Sequence, residues 1–349
     1  MITVLFFLSS GLFLGWSLGA NDAANVFGTA VGTKMVRFRT AALVCSVFVI
    51  LGAVVAGHGA AHTLGRLGSV NALGGAFTAA FAAAVSVLAM TRLKLPVSTS
   101  QAIIGAIVGW NIFAGKPTDL SVLSKIVGTW VLCPILAGVF AMGLFTVSER
   151  LVRKSRVHLF MLDAWTRLGL LLAGAFGAFS LGANNIANVM GVFVPVTPFP
   201  DLTVNGYVLL SDVELLFLVG GLAIACGVYT YSRRVMETVG SDLFRLSPVT
   251  ALIVVISSGL VLFIFASQGL EQALHSLGLP AFPLVPVSSS QAVVGAVLGI
   301  GMVKGIHNIR YIVLCRICLG WVVTPVAAGL VCWVLLFFMQ NVFMQIVAK

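Results

Sequence analysis

Apolar residues run in long blocks along this chain, separated by short polar intervals. The blocks cover about 41–61, 70–91, 121–147, 213–231, 248–268 and 311–339. A helix needs about 20 such residues to cross a bilayer, and most of these blocks suffice. Four further apolar segments begin or end in a polar cluster: residues 1–31, the segment around 180–191, and those opening at 96 and 286. The pattern predicts about ten membrane segments, all helical. Residues 1–20 resemble a leader in ending on small residues, but no basic stretch precedes the apolar run. The motif that follows returns in mid-chain, so residues 1–31 are read as a retained membrane segment.

The polar clusters repeat in order. SLGANDAANVFG at 17–28 matches SLGANNIANVMG at 180–191, and PVSTSQAIIGAIVG at 96–109 matches PVSSSQAVVGAVLG at 286–299. A third match pairs Trp130 and Pro134 with Trp321 and Pro325, each followed by Ala-Gly (Ala137-Gly138, Ala328-Gly329). Three ordered matches mark a duplication. The predicted divisions are an N-terminal repeat at 1–148, a basic linker at 149–159 and a C-terminal repeat at 160–349.

Composition agrees with a membrane protein. Charged residues make up 9% and hydrophobic residues 60%, with mean hydropathy +1.11. These values exclude an ordinary soluble enzyme and a disordered chain. The net charge of +10 would suggest nucleic acid in a soluble protein, but here the basic residues sit between apolar runs. With ten crossings and the N-terminus outside, only Arg66, Lys116, Lys125 and Lys349 fall outside; the other 16 of the 20 Lys and Arg fall inside. That bias places both termini outside and the linker in the cytoplasm. It also requires each PVS segment to cross rather than turn back. Five crossings per half is odd, so the halves enter from opposite faces. The expected fold is an all-α polytopic membrane protein with two inverted-topology repeats of about five segments, and broken or half helices at the midplane. The six cysteines read as small apolar packing residues, and Cys315-x-x-Cys318 has no second pair to make a zinc site. His58 and His62 have no acidic residue between them and read as a loop-end pair.

Two motifs carry the chemistry. The first places Asn21, Asp22 and Asn25 inside an apolar run, where polar groups are costly and functional by default. Asn21 and Asn25 share a helical face, and Gly19, Gly28 and Gly32 permit a helix break that would free carbonyl oxygens. Carboxylate, amide and carbonyl oxygens suit a hard cation such as Na⁺. The second copy supplies Asn184, Asn185 and Asn188. The other motif opens a helix with Pro96, then Ser98, Thr99, Ser100 and Gln101. Hydroxyls cap the first free N–H groups, and the helix N-terminus attracts anions. Pro286, Ser288, Ser289, Ser290 and Gln291 repeat it. Two inverted N-termini meeting at midplane would hold a tetrahedral oxyanion.

These duplicated signatures resemble the inorganic phosphate transporter (PiT) family, across nearly the whole chain. The resemblance implies a symporter moving phosphate with Na⁺ or H⁺, a homodimer, and no cofactor. It implies that the serine–glutamine motifs with Asn21 and Asn184 bind substrate, while Asp22, Asn25, Asn185 and Asn188 bind or couple the cation. The chain departs from the family at Asn185, where an Asp is common, and at Gln101 and Gln291, where many members carry His. Both changes favour neutral donors. Sulfate, which carries no proton to donate, suits such a site, and a sulfate-transporting branch exists in the family. A channel and an intramembrane enzyme are the rival classes. The repeat argues against a channel. The five histidines lie near segment ends and no Gly-x-Ser-x-Gly elbow occurs, which argues against an enzyme.

Overall fold

A computed structural model describes residues 2–68, 70–92, 97–154, 158–204, 207–238, 246–305 and 311–349. The first half holds α1 (Ile2–Gly32), α2 (Phe38–Ala56), α3 (His58–Leu67), α4 (Leu73–Arg92), α5 (Thr99–Ala114) and α6 (Leu120–Lys154). The second holds α7 (Leu159–Met190), a 3-10 turn (Gly191–Val196), a short hairpin of β1 (Leu202–Val204) and β2 (Tyr207–Leu210), α8 (Asp212–Thr230), α9 (Ser232–Thr238), α10 (Pro248–Ile264), α11 (Gln268–Ser276), α12 (Ser289–Lys304) and α13 (Tyr311–Asn341). Among the described residues seven helices are long and apolar enough to cross a membrane. An eighth crossing results if α10 and α11, bent by 69° where they join, count as one.

Local sequence sets these boundaries. Ser211 and Glu214 form a reciprocal capping box at the start of α8. Ser247 caps α10, whose first residue is Pro248, a position that needs no N–H. Gly115 closes α5 at φ +64°, where it takes the left-handed cap conformation. The expected linker is helical through Lys154; residues 155–157 lie outside the described residues, and α7 starts at Leu159.

Each half packs chiefly against the other. α1 lies along α8 and α2 along α7, while α5 lies along α13 and α12 along α6. Glycines make these crossings close. A side chain at Gly19 would strike the Ile224 carbonyl, and one at Gly182 would strike that of Val49. Gly105 faces the Pro325 carbonyl and Gly295 faces that of Pro134. The third repeated motif is thereby explained. Pro134 and Gly138 in α6, and Pro325 and Gly329 in α13, are where the short PVS helices cross. Small residues let helix backbones approach inside a membrane, where dispersion contacts and not water drive association.

Direction follows from ring contacts. Phe6 stacks on Phe77 and Phe13 lies against Phe81, so α1 and α4 run in step. Trp110, near the end of α5, meets Gly75 at the start of α4, so α5 returns toward the end from which α4 sets out. The C-terminal tail docks there too: Trp110 Nε1 donates to the Val347 carbonyl at 2.8 Å and Asn71 holds Lys349 from both sides. Both chain ends therefore lie at one end of the bundle. α5 and α12 have 16 residues each, about 24 Å at 1.5 Å per residue. That is short of a hydrocarbon core of about 30 Å.

Candidate functional site

The first motif sits in unbroken helix. α1 runs through Asn21–Asn25 and α7 runs through Asn184–Asn188 without interruption. The expected helix break at Gly19, Gly28 and Gly32 is therefore absent. The reason is that Gly19, like its counterpart Gly182, is used for close helix crossing instead. The backbone carbonyls of this motif stay inside the helices, so side chains must supply the ligands.

The break in the chain comes before α5 and α12. Pro96 lies outside the described residues. Ser98 is extended at φ −118° and accepts from Gln101 N at 3.4 Å; Ser288 at φ −87° accepts from Gln291 N at 3.3 Å. Each serine satisfies the third N–H of its helix. The first two, at Thr99 and Ser100 and at Ser289 and Ser290, have no acceptor within their own helix by geometry. The two N-termini meet. Ser100 Oγ donates to the Val287 carbonyl at 3.0 Å, and Ser290 Oγ donates to the Val97 carbonyl at 3.3 Å. Ser288 and Ser290 share a hydrogen bond of 3.0 Å.

The asparagine motif of each half joins the serine motif of the other. At one junction Asn25 Nδ2 donates to Ser289 Oγ at 3.0 Å, and Ser289 Oγ donates to Asp22 Oδ2 at 2.9 Å. Asn21 Nδ2 donates to the other carboxylate oxygen at 3.2 Å. At the second junction Asn188 Nδ2 donates to Ser100 Oγ at 2.8 Å and to Asn185 Oδ1 at 2.8 Å. Ser100 Oγ lies 3.5 Å from Asn185 Oδ1. Asn184 grips the strand leading into α12: its oxygen accepts from Val287 N at 2.8 Å and its nitrogen donates to the Val285 carbonyl at 3.2 Å.

Asp22 is 4% exposed. A carboxylate at that depth is costly unless a cation or a proton balances it. Two neutral donors do not do so alone. Around the same N-termini, Thr99 Oγ1, Gln101 Oε1, Gln291 Oε1, Asn185 Nδ2 and Asn188 Oδ1 are buried with no hydrogen-bond partner among the described residues. Buried polar atoms are rarely left so. The set combines one carboxylate, several amides and hydroxyls, and two helix N-termini. It can hold a small cation beside Asp22 and an oxyanion against the N–H groups. Ten of the sequence-predicted residues are linked by the hydrogen bonds above. Thr99, Gln101 and Gln291 are buried on the same first turns with unpartnered side-chain oxygens, and Ser98 caps its helix.

Sequence reasoning missed three neighbours. Ser258 of α10 borders a crevice with Asn25 and Ser289. Cys133 Sγ sits 3.7 Å from the Ser288 carbonyl. A cavity of about 60 Å³ beside Asn21 is lined by Trp16, Ser17, Thr91, Arg92 and Tyr231. The signal for Ser258 was a hydroxyl pair, Ser257-Ser258, inside an otherwise apolar run. Cys133 carried none, because its role depends on which helix crosses it.

The sequence profile described as the phosphate transporter family matches residues 18–332 and 277–348. A protein of Methanocaldococcus jannaschii whose name assigns it to the phosphate permeases is 31% identical over 90% of this chain and 91% of its own. The sulfate permease CysP of Bacillus subtilis is 32% identical over 90% of this chain and 82% of its own. Among solved structures, one titled the sodium-dependent phosphate transporter superposes with a TM-score of 0.72 at 24% identity, covering 97% of this chain and all of that one.

Proposed function

Because the chain belongs to the phosphate transporter family, a group of multi-pass membrane transporters, we propose that it is a secondary carrier that takes up inorganic phosphate together with Na⁺ or H⁺. The observation that carries this reading is the meeting of two capped helix N-termini beside a single buried carboxylate. The N–H groups and hydroxyls of Ser98–Gln101 and Ser288–Gln291 face the oxyanion, with Asn21 bordering it. Asn184, engaged on backbone, positions the α12 entry strand. Asp22 and Asn25, with Asn185 and Asn188 opposite, form the cation side. Loading of the cation neutralises Asp22, and the anion then enters a site that is no longer repelled by it. In this reading the halves 1–148 and 160–349 are inverted repeats in the cell membrane, both termini face outward, the 149–159 segment is cytoplasmic, and the carrier is a homodimer. Cysteine labelling of 149–156 from either face tests the orientation.

A second reading is sulfate transport. Asn185, Gln101 and Gln291 make the site rich in neutral groups, and the sulfate permease of Bacillus subtilis is among the relatives. A fully deprotonated anion favours donors and needs no acceptor. Uptake of labelled phosphate and labelled sulfate into proteoliposomes, with Na⁺ and pH gradients imposed separately, decides both questions. Phosphate accumulation driven by one gradient is the expected result. Accumulation of sulfate alone would transfer the assignment, and flux indifferent to either gradient would end the carrier reading.

A further inference from the structure

An open cleft of about 670 Å³ lies between the start of α2 and the end of α8, away from the site above. Its lining is Arg37, Phe38, Arg39, Leu43, Tyr229 and Arg233. Arg37 precedes α2 in extended backbone. Arg233 Nε donates to Glu237 at 3.0 Å, and its guanidinium carbon stands 6.0 Å from the Phe38 ring centre. The residues lining the cleft include three arginines and no acidic residue. The corresponding connection of the other half, 191–211, contains no Lys or Arg, so the cleft is not a by-product of the repeat.

The cleft continues into an apolar groove. On α2, Leu43, Val47, Leu51 and Val55 are exposed at four-residue spacing, by 55%, 45%, 45% and 69%. On α8, against which α2 packs, Leu222, Cys226 and Tyr229 are exposed in register. The α2 stripe extends 12 residues, or about 18 Å, which is the length of an acyl chain. A soluble anion would need the arginines alone. Cations above, an aromatic belt at the boundary and an apolar groove below match a lipid.

We propose that this cleft binds the phosphate headgroup of an anionic phospholipid, with one acyl chain laid along the α2–α8 groove. The test uses the full chain purified in neutral detergent and titrated with short-chain phosphatidylglycerol, phosphatidylcholine or inorganic phosphate, read by native mass spectrometry. Phosphatidylglycerol is expected to bind and phosphatidylcholine to bind far more weakly. Each arginine at a charged headgroup contributes about fivefold, so R37Q/R39Q/R233Q should lose roughly a hundredfold. R37K/R39K/R233K should recover part of this, because lysine keeps the charge and loses the bidentate fork. The single exposed change R39Q, with about a fivefold loss, serves where the triple variant does not fold. Equal binding of the two lipids, full displacement of phosphatidylglycerol by millimolar inorganic phosphate, or unchanged affinity in R39Q and the triple variant would each overturn the assignment.

Discussion

The two crossed junctions share a plan but differ in charge and in which serine each uses, since Ser289 matches Thr99 and Ser100 matches Ser290 in the repeat. In both, an asparagine in the C-terminal part of a long helix donates to a serine at the start of a short helix from the other half. In the first, that serine donates its own hydrogen bond to the carboxylate of Asp22. In the second, the same sequence position holds Asn185, and the serine donates instead to a backbone carbonyl. The second junction is thus built from neutral dipoles alone, with Asn185 Nδ2 and Asn188 Oδ1 left without a partner among the described residues. The first carries a buried carboxylate, which in the proposed function is balanced by the coupling cation or proton. The two frames are similar, and the acidic residue stands in only one of them.

The largest expected effect comes from erasing that difference. Asp22→Asn should reduce gradient-driven accumulation to the level of empty liposomes while leaving the protein monodisperse in detergent. Concentrative uptake by this variant would show that the charge sits elsewhere. Next in size is the contrast between the two serines. Ser289 serves a carboxylate, a bond worth about 1.5–3 kcal/mol, whereas Ser100 serves neutral groups at about 0.5–1.5 kcal/mol. Ser289→Ala should raise the half-saturating cation concentration roughly ten- to a hundredfold, and Ser100→Ala roughly two- to tenfold. Equal shifts in the two titrations would mean the junctions are energetically alike.

A third prediction concerns what the halves hold in common. Gly19→Ala and Gly182→Ala each push a methyl group into a facing carbonyl. Each should lower stability by about 1–3 kcal/mol, read as a fall in the thermal midpoint in detergent. The two should fall together, because the crossings are equivalent; a fall in only one would break the correspondence. The smallest effect is on selectivity. Placing His at both Gln101 and Gln291 should raise the ratio of phosphate to sulfate uptake at neutral pH by several-fold. A ratio unchanged in paired uptake assays would remove these residues from anion discrimination.

Much of this was legible in the chain. The order of the repeated motifs gave the two frames, and hydroxyls after proline gave the short helices and their caps. What was not legible is instructive. Glycines beside Asn21 read equally as a helix break or as a close crossing, and only the position of Ile224 in α8 decides. The pairing of each asparagine motif with the opposite serine motif depends on three-dimensional exchange between halves, which no spacing encodes. The grip of Asn184 on residues 285 and 287 lies within the second half, but about a hundred residues apart in the chain, and no spacing encodes it either. The bend after Ile264 falls where the apolar run gives out at Ser267-Gln268.

The glycine crossings also say which parts of the molecule travel together. Backbone touches backbone between α1 and α8, between α2 and α7, between α5 and α13 and between α6 and α12. Every one of these seams joins the first half of the sequence to the second. Sliding one half bodily past the other would tear all four at once. The mechanical pieces are therefore not the evolutionary ones. Each interlocked pair instead draws one helix from each half of the sequence.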